Sequence, residues 1–195
     1  MTSYDLTMGR TYASVNKRVA AFLLSQPVFF VATAPLSGDG LVNCSPKSNN
    51  GELAVLDPGR VAYLDRTGSG VETIAHLREN GRIVLMFCAF EKKPRIIRIH
   101  GRGSVVGRED EAFEQLAAGF SADRLEGARS VIVVSAERIS DSCGYGVPLM
   151  SFSAHRSLMA EWAEHKGEDG VREYWETNNA ESLDGLPGIQ TVRPA

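Results

Sequence analysis

VFFVATAPLSGDGLVNCSPKSNNGELAVLDPGRVAYLDR, residues 28–66, consists of four short runs of β-branched and apolar residues set between clusters of turn formers. The runs Val28–Ala34, Leu41–Lys47, Glu52–Leu56 and Arg60–Asp65 have the length and composition of strands. Ser37-Gly38-Asp39-Gly40, Asn49-Asn50-Gly51 and Asp57-Pro58-Gly59 punctuate them. Their spacing predicts a meander. Upstream, Val15, Val19, Phe22 and Leu23 recur at helical spacing and predict an amphipathic helix over 12–25, ended by Pro27. Downstream, Ile74 and Leu77 mark a short helix that closes at Asn80-Gly81. RIVLMFCAF (82–90) reads as a strand buried on both faces, 95–106 as a second long strand, and SVIVVSAERI (130–139) as another buried one. Between them 109–120, with Phe113, Leu116 and Ala117, reads as a helix. Strands joined by short turns and interrupted only by single helices indicate an antiparallel barrel, because a doubly wound sheet would alternate strand and helix throughout.

A chain of 195 residues can bury one sizeable core. It therefore reads as one barrel domain over 1–140 with an extension, 141–195, packed on the same domain. The extension carries the loop CGYGVP (143–148) and a helix presenting Leu158, Met159 and Trp162. A second helix presents Val171, Tyr174 and Trp175, followed by the turn SLDGLPG (182–188). No stretch approaches the roughly 18 apolar residues of a membrane span. Residues 1–26 lack the basic start, apolar centre and cleavage site of a leader, so the cytoplasm is the expected compartment. A net charge of -3 and a pI near 5.8 supply no basic field for nucleic acid. Cys44, Cys88 and Cys143 are far apart and odd in number, which predicts reduced thiols rather than a disulfide framework. His76, His100, His155 and His165 are equally scattered, and no metal-ligand spacing occurs.

Chemistry concentrates in two places. Asp65-Arg66-Thr67-Gly68-Ser69-Gly70-Val71-Glu72-Thr73 joins a strand to a helix start, where glycines, hydroxyls and free N–H groups suit a phosphate. The same letters also fit a capping box, with Ser69 and Glu72 satisfying each other's backbone donors. It is neither a P-loop nor a dinucleotide fingerprint. Asn43-Cys44-Ser45-Pro46-Lys47-Ser48 is a second polar cluster at a strand end, its Pro implying an edge or a bulge. Arg98, His100 and Arg102 share a strand face, expected to be the wet one. Met86, Phe87, Trp162 and Trp175 are expected in the core. Tyr145, between two glycines, suits a lid or a seam between subunits. No nucleophile–base constellation can be assembled from spacing.

VNCSPKS (42–48), VAYLDRTGSGVETIAHLREN (61–80), RIVLMFCAF (82–90) and RIIRIHGRG (95–103) together resemble the pyridoxamine 5′-phosphate oxidase-like, FMN-binding split-barrel family, over residues 20–140. The resemblance implies a mainly β fold with α (α+β): an antiparallel split β-barrel with flanking helices and a helical C-terminal tail. It also implies a homodimer with FMN held between subunits. Carried over by position, it assigns cofactor contacts to Ser45, Lys47 and Ser48 and to Leu64, Asp65, Arg66, Ser69 and Thr73. Two departures separate the chain from the namesake enzyme. Glu72-Thr73 stands where that oxidase has a basic pair gripping the phosphate, which places a carboxylate beside a dianion. Its C-terminal Arg-x-His signature is missing as well, so vitamin B6 synthesis is not expected. The tail motifs CGYGVP and SLDGLPG resemble an uncharacterised branch. The implied activity is that of a flavin-dependent oxidoreductase acting on a small molecule. The alternative is a non-catalytic barrel that binds flavin, haem or a deazaflavin, with His100 or His155 available as an axial ligand.

Overall fold

A computed structural model describes residues 9–91, 93–121 and 124–189. Residues 1–8, the first part of the segment read as lacking a leader, lie outside the described residues. The elements are β1 (Thr11–Tyr12), α1 (Lys17–Ser25), β2 (Val28–Thr33), β3 (Asn43–Ser48), β4 (Leu53–Asp57) and β5 (Arg60–Arg66). They continue with α2 (Glu72–Asn80), β6 (Arg82–Cys88), β7 (Ile96–Gly107), α3 (Ala112–Ala117), β8 (Ala128–Ser142) and α4 (Leu158–Asn178). Every pairing is antiparallel, and the sheet runs β3-β2-β6-β7-β8-β5-β4 with β1 added to β8. It curls into the open half-barrel of the split-barrel architecture.

β8 organises the sheet. Along one edge it pairs with β7 throughout; along the other, its first half takes β5 (Leu64↔Val131) and its far end takes β1 (Thr11↔Ser140). The register shifts between His100 and Gly101, and a methyl group at Gly101 would come within 2.0 Å of the Ser135 carbonyl oxygen. Only glycine fits where the two long strands cross so closely.

The concave side buries Val19 and Leu23 of α1 against Phe29, Val31, Val61, Tyr63, Leu85, Phe87, Ile97 and Ile99. Phe29 stacks on Phe87 (5.2 Å between centroids) and meets Tyr63 edge-on (5.5 Å). On the opposite side of β5 and β8, Ala62, Leu64, Val131 and Val133 are covered by Phe113 and Ala117 of α3. Burial on both faces is why Ser130–Val134 reads as a continuous apolar run. α4 is broken at Gly167 (φ 67°), giving the two helical pieces expected, and Val171 and Trp175 of its second piece form a small cluster with Ala163 and Ile189. No helix among the described residues is long and apolar enough to cross a membrane.

Several sequence expectations are corrected. The four early strands do not form a meander: β2–β3 and β4–β5 are hairpins at opposite ends of the strand order. Sequential neighbours pair by default, but β5, apolar on both faces, needs an interior position, which it gets beside β8. The link between the hairpins is tied down by Asn49, whose Nδ2 donates to the carbonyls of Leu23 (3.0 Å) and Gln26 (2.8 Å). The first helix starts at Lys17 rather than Tyr12, because Asn16 caps it by accepting from the N–H groups of Arg18 and Val19. β3 begins at Asn43, leaving Leu41 and Val42 exposed. β6 is buried on one face only; Val84 and Met86 are half-exposed on the other, so Met86 is not a core residue.

Candidate functional site

β3 is an edge strand, which accommodates Pro46, and its alternation turns Asn43, Ser45 and Lys47 inward while Cys44, Pro46 and Ser48 stay exposed. Facing it, β5 runs into the Thr67–Val71 turn and α2. Between them lies a cleft of about 510 Å³. Ser45, Lys47, Ser48, Leu64, Arg66, Ser69 and Thr73 line it; of the residues carried over from the sequence, only Asp65 does not.

Asp65 lies beneath the cleft, with no exposure, and accepts from Lys47 Nζ (2.9 Å) and Arg129 Nε (2.7 Å). Burial alone would raise its carboxyl, but the Arg129 and Lys47 charges and their hydrogen bonds outweigh that and hold its pKa at about 2. Arg129 continues the chain of contacts: Nη1 donates to Asn179 Oδ1 (2.9 Å), and Asn179 Nδ2 donates to the Gly68 carbonyl (3.0 Å). Trp175 Nε1 donates to Thr67 Oγ1 (2.8 Å), which itself donates to the Gly127 carbonyl (2.8 Å). The C-terminal helix thereby fixes the turn that faces β3.

Arg66 donates from Nη1 to Glu52 (3.2 Å) and from Nη2 to the Glu126 carbonyl (3.0 Å), while its Nε is buried without a partner. Ser69 is exposed. Thr73 is buried, and its Oγ1 accepts from Asn43 Nδ2 (3.0 Å), which also reaches Thr33 Oγ1 (3.1 Å). Thr33 meets His76 Nδ1 at 2.9 Å, and His76 Nε2 lies 3.8 Å from Asp184 of the tail turn. Burial pushes the His76 pKa below its ordinary value against the opposing pull of Asp184, Glu72 and Glu79.

The capping box does not form. α2 begins after Val71, with no side-chain cap. The Glu72 carboxylate instead folds over Gly70, where a methyl group would come within 2.2 Å of Oε2, and its Oε1 accepts from the Leu183 N–H (3.4 Å). The Glu72 carboxylate is thus engaged with the tail turn.

Three arginines that sequence reading passed over, Arg124, Arg129 and Arg156, join Lys47 and Arg66 around the cleft, against Glu52 and Glu72. Arg129 was signalled by a charge standing next to an apolar strand; Arg124 and Arg156 come from a connection and from the tail, which only the fold brings here. A chain that is negative overall concentrates positive charge at this site. Cationic donors, serine and threonine hydroxyls, an orphan Arg66 Nε, and open space over the Gly68 backbone fit a phosphate-bearing group. His100 is not among the cleft residues. It lies on the outer face of β7 beside half-buried Arg98 and exposed Arg102, as the alternation implied, and partial desolvation together with Arg138 and Arg98 lowers its pKa. Among the described residues no cluster of His, Cys, Asp or Glu could hold a metal ion, and the three cysteines are free thiols.

The sequence profile described as pyridoxamine 5′-phosphate oxidase matches residues 15–143, which contain the barrel and both walls of the cleft. The pyridoxamine 5′-phosphate oxidase family protein ustO of Aspergillus flavus is 39% identical over 195 aligned positions, spanning 93% of this chain and 78% of that protein. Solved structures share the fold, among them the following two. HupZ of Group A Streptococcus has a TM-score of 0.51 and 22% identity over 65% of this chain and 98% of its own. A Clostridium acetobutylicum protein related to general stress protein 26 has a TM-score of 0.50 and 13% identity over 65% and 86%.

Proposed function

Because the chain belongs to the pyridoxamine 5′-phosphate oxidase family, we propose that it binds FMN in the cleft between β3 and the β5–α2 turn. We further propose that it acts as a flavin-dependent oxidoreductase on a small molecule. The supporting observation is the convergence of Lys47, Arg66, Arg124 and Arg129 on a cleft whose turn backbone is open at Gly68. Lys47, Arg124 and the hydroxyls of Ser45, Ser48 and Ser69 hold the phosphate from the two walls. Arg129 and Asp65 act from below as positioning residues, keeping Lys47 and the Thr67–Gly68 turn in place. When bound, the flavin supplies the two-electron chemistry, and the protein supplies binding, orientation and field.

Exposed and half-exposed apolar rows cross the outer face of β3, β2 and β6, pairing Pro46 with Phe30 and Phe30 with Met86, then Ala32 with Val84. They support a homodimer that buries this face beside the cleft.

The test is a titration with FMN and with riboflavin, followed by flavin fluorescence. FMN should bind more tightly than riboflavin. Lys47→Ala and Arg124→Ala should each weaken FMN by about ten-fold or more, as expected for a hydrogen bond to a charged group, while leaving riboflavin unchanged. Failure to take up FMN would overturn the reading.

A further inference from the structure

Past Lys47 and Ser48 the cleft adjoins a larger groove of about 1020 Å³, between the α1–β2 corner and the tail segment 150–159. That segment has no helix or strand before Leu158, yet it is fastened at three points. The Met150 N–H donates to the Phe90 carbonyl (2.9 Å), the Phe152 N–H donates to Glu91 Oε1 (3.2 Å), and His155 Nδ1 lies 3.1 Å from Ser48 Oγ. The Phe152 ring leans on the His155 ring at 4.7 Å. The wall is therefore built rather than draped.

Its surface is apolar and open: Leu24 is 49% exposed, Met150 57%, Phe152 49% and Leu158 63%. Apolar concavities of this size mark ligand or partner sites. Two charged side chains line it besides Arg156: Lys47, paired with Asp65, and Glu91, whose carboxylate accepts from the Phe152 N–H. Arg156 lines both the groove and the cleft and makes no hydrogen bond or ion pair among the described residues. An apolar trough with the unpaired Arg156 guanidinium on its wall is complementary to a flat apolar molecule that carries a carboxylate.

We propose that this groove is the substrate site of the flavin reaction and that it takes an aromatic carboxylic acid. The ring lies along Leu24, Phe152 and Leu158, and the carboxylate pairs with Arg156. The role as substrate site rests on the flavin reading above; the ligand chemistry does not.

The experiment is calorimetric titration of the full chain, with and without FMN, using 2-naphthoate and its neutral analogue 2-naphthamide. Flavin fluorescence follows the cofactor separately. The acid should bind about ten-fold more tightly than the amide, in both forms of the protein. Arg156→Gln should abolish that preference and leave amide binding as in the parent, whereas Phe152→Ala should weaken both naphthalene ligands. Equal affinity for acid and amide, or no binding, overturns the proposal. So does displacement of 2-naphthoate by FMN, which would make the groove the seat of the flavin ring. Binding only on dilution to a monomer would show that a second copy covers the groove, and would also overturn it. If 2-naphthoate binds through Arg156 while FMN does not bind at all, the ligand site stands and the flavin reading falls.

Discussion

Asp65 carries the charge balance of the cleft from beneath it. Wholly buried between Lys47 and Arg129, it is a counter-ion to two cations on different strands. Removing one member of such a group leaves uncompensated buried charge, so Asp65→Asn should destabilise the fold by about 3–5 kcal/mol, read as a lower urea midpoint at neutral pH. The pH dependence follows from its folded pKa of about 2, below the ordinary aspartate value near 3.9. The unfolded chain takes up the proton first on acidification. The stabilisation is therefore complete above about pH 4 and lost as pH falls towards 2. The parent's urea midpoint should drop across that window and the variant's should drop less; parallel curves would refute the assignment. The sequence displays Asp65 as a polar strand end beside a phosphate-like turn. Its depth, and its partner on β8, follow from the β5–β8 register, which spacing does not encode.

The turn 182–188 is held to α2 by several polar contacts. Asp184 accepts from the Leu41 N–H (2.9 Å) and lies near His76, Leu183 meets Glu72, and Arg78 donates to the Gly188 carbonyl. His76 is fully buried, and its burial lowers its pKa. The folded state then resists a proton that the unfolded chain accepts near pH 6.5, so stability falls as pH is lowered through and below that value. The melting temperature should decline between about pH 8 and 5.5, more shallowly in His76→Asn; identical slopes would exclude His76 as the source. Strands and helices were legible in composition and period: β2, β5, β7, β8 and both pieces of α4 stand where the letters indicate. The pairing of hairpins was not, because adjacency favours the meander and only burial on both faces of β5 overrides it. The Ser69–Glu72 pattern satisfied the letters of a capping box, but the helix starts after Val71 and Glu72 turns to the tail.

For the molecule as a whole, net negative charge coexists with a positive cleft and with an apolar outer face on β2 and β6. If two copies pair through that face, Phe30→Asp should give a monomer by light scattering and weaken FMN binding, since Phe30 neighbours Pro46 on the cleft wall. A variant that stays dimeric would move the interface elsewhere.

The strand order also fixes when the cleft can exist. Its floor pairs β5 with β8, and its turn is bonded by Trp175 and Asn179. On a chain emerging from the ribosome at roughly 5–20 residues per second, the β2–β3 and β4–β5 hairpins are complete many seconds before those partners are made. The local contacts come early and the ones that matter to the ligand come last. A nascent chain therefore offers no finished seat for a ligand in this cleft until residues 128–142 and 175–179 have been made.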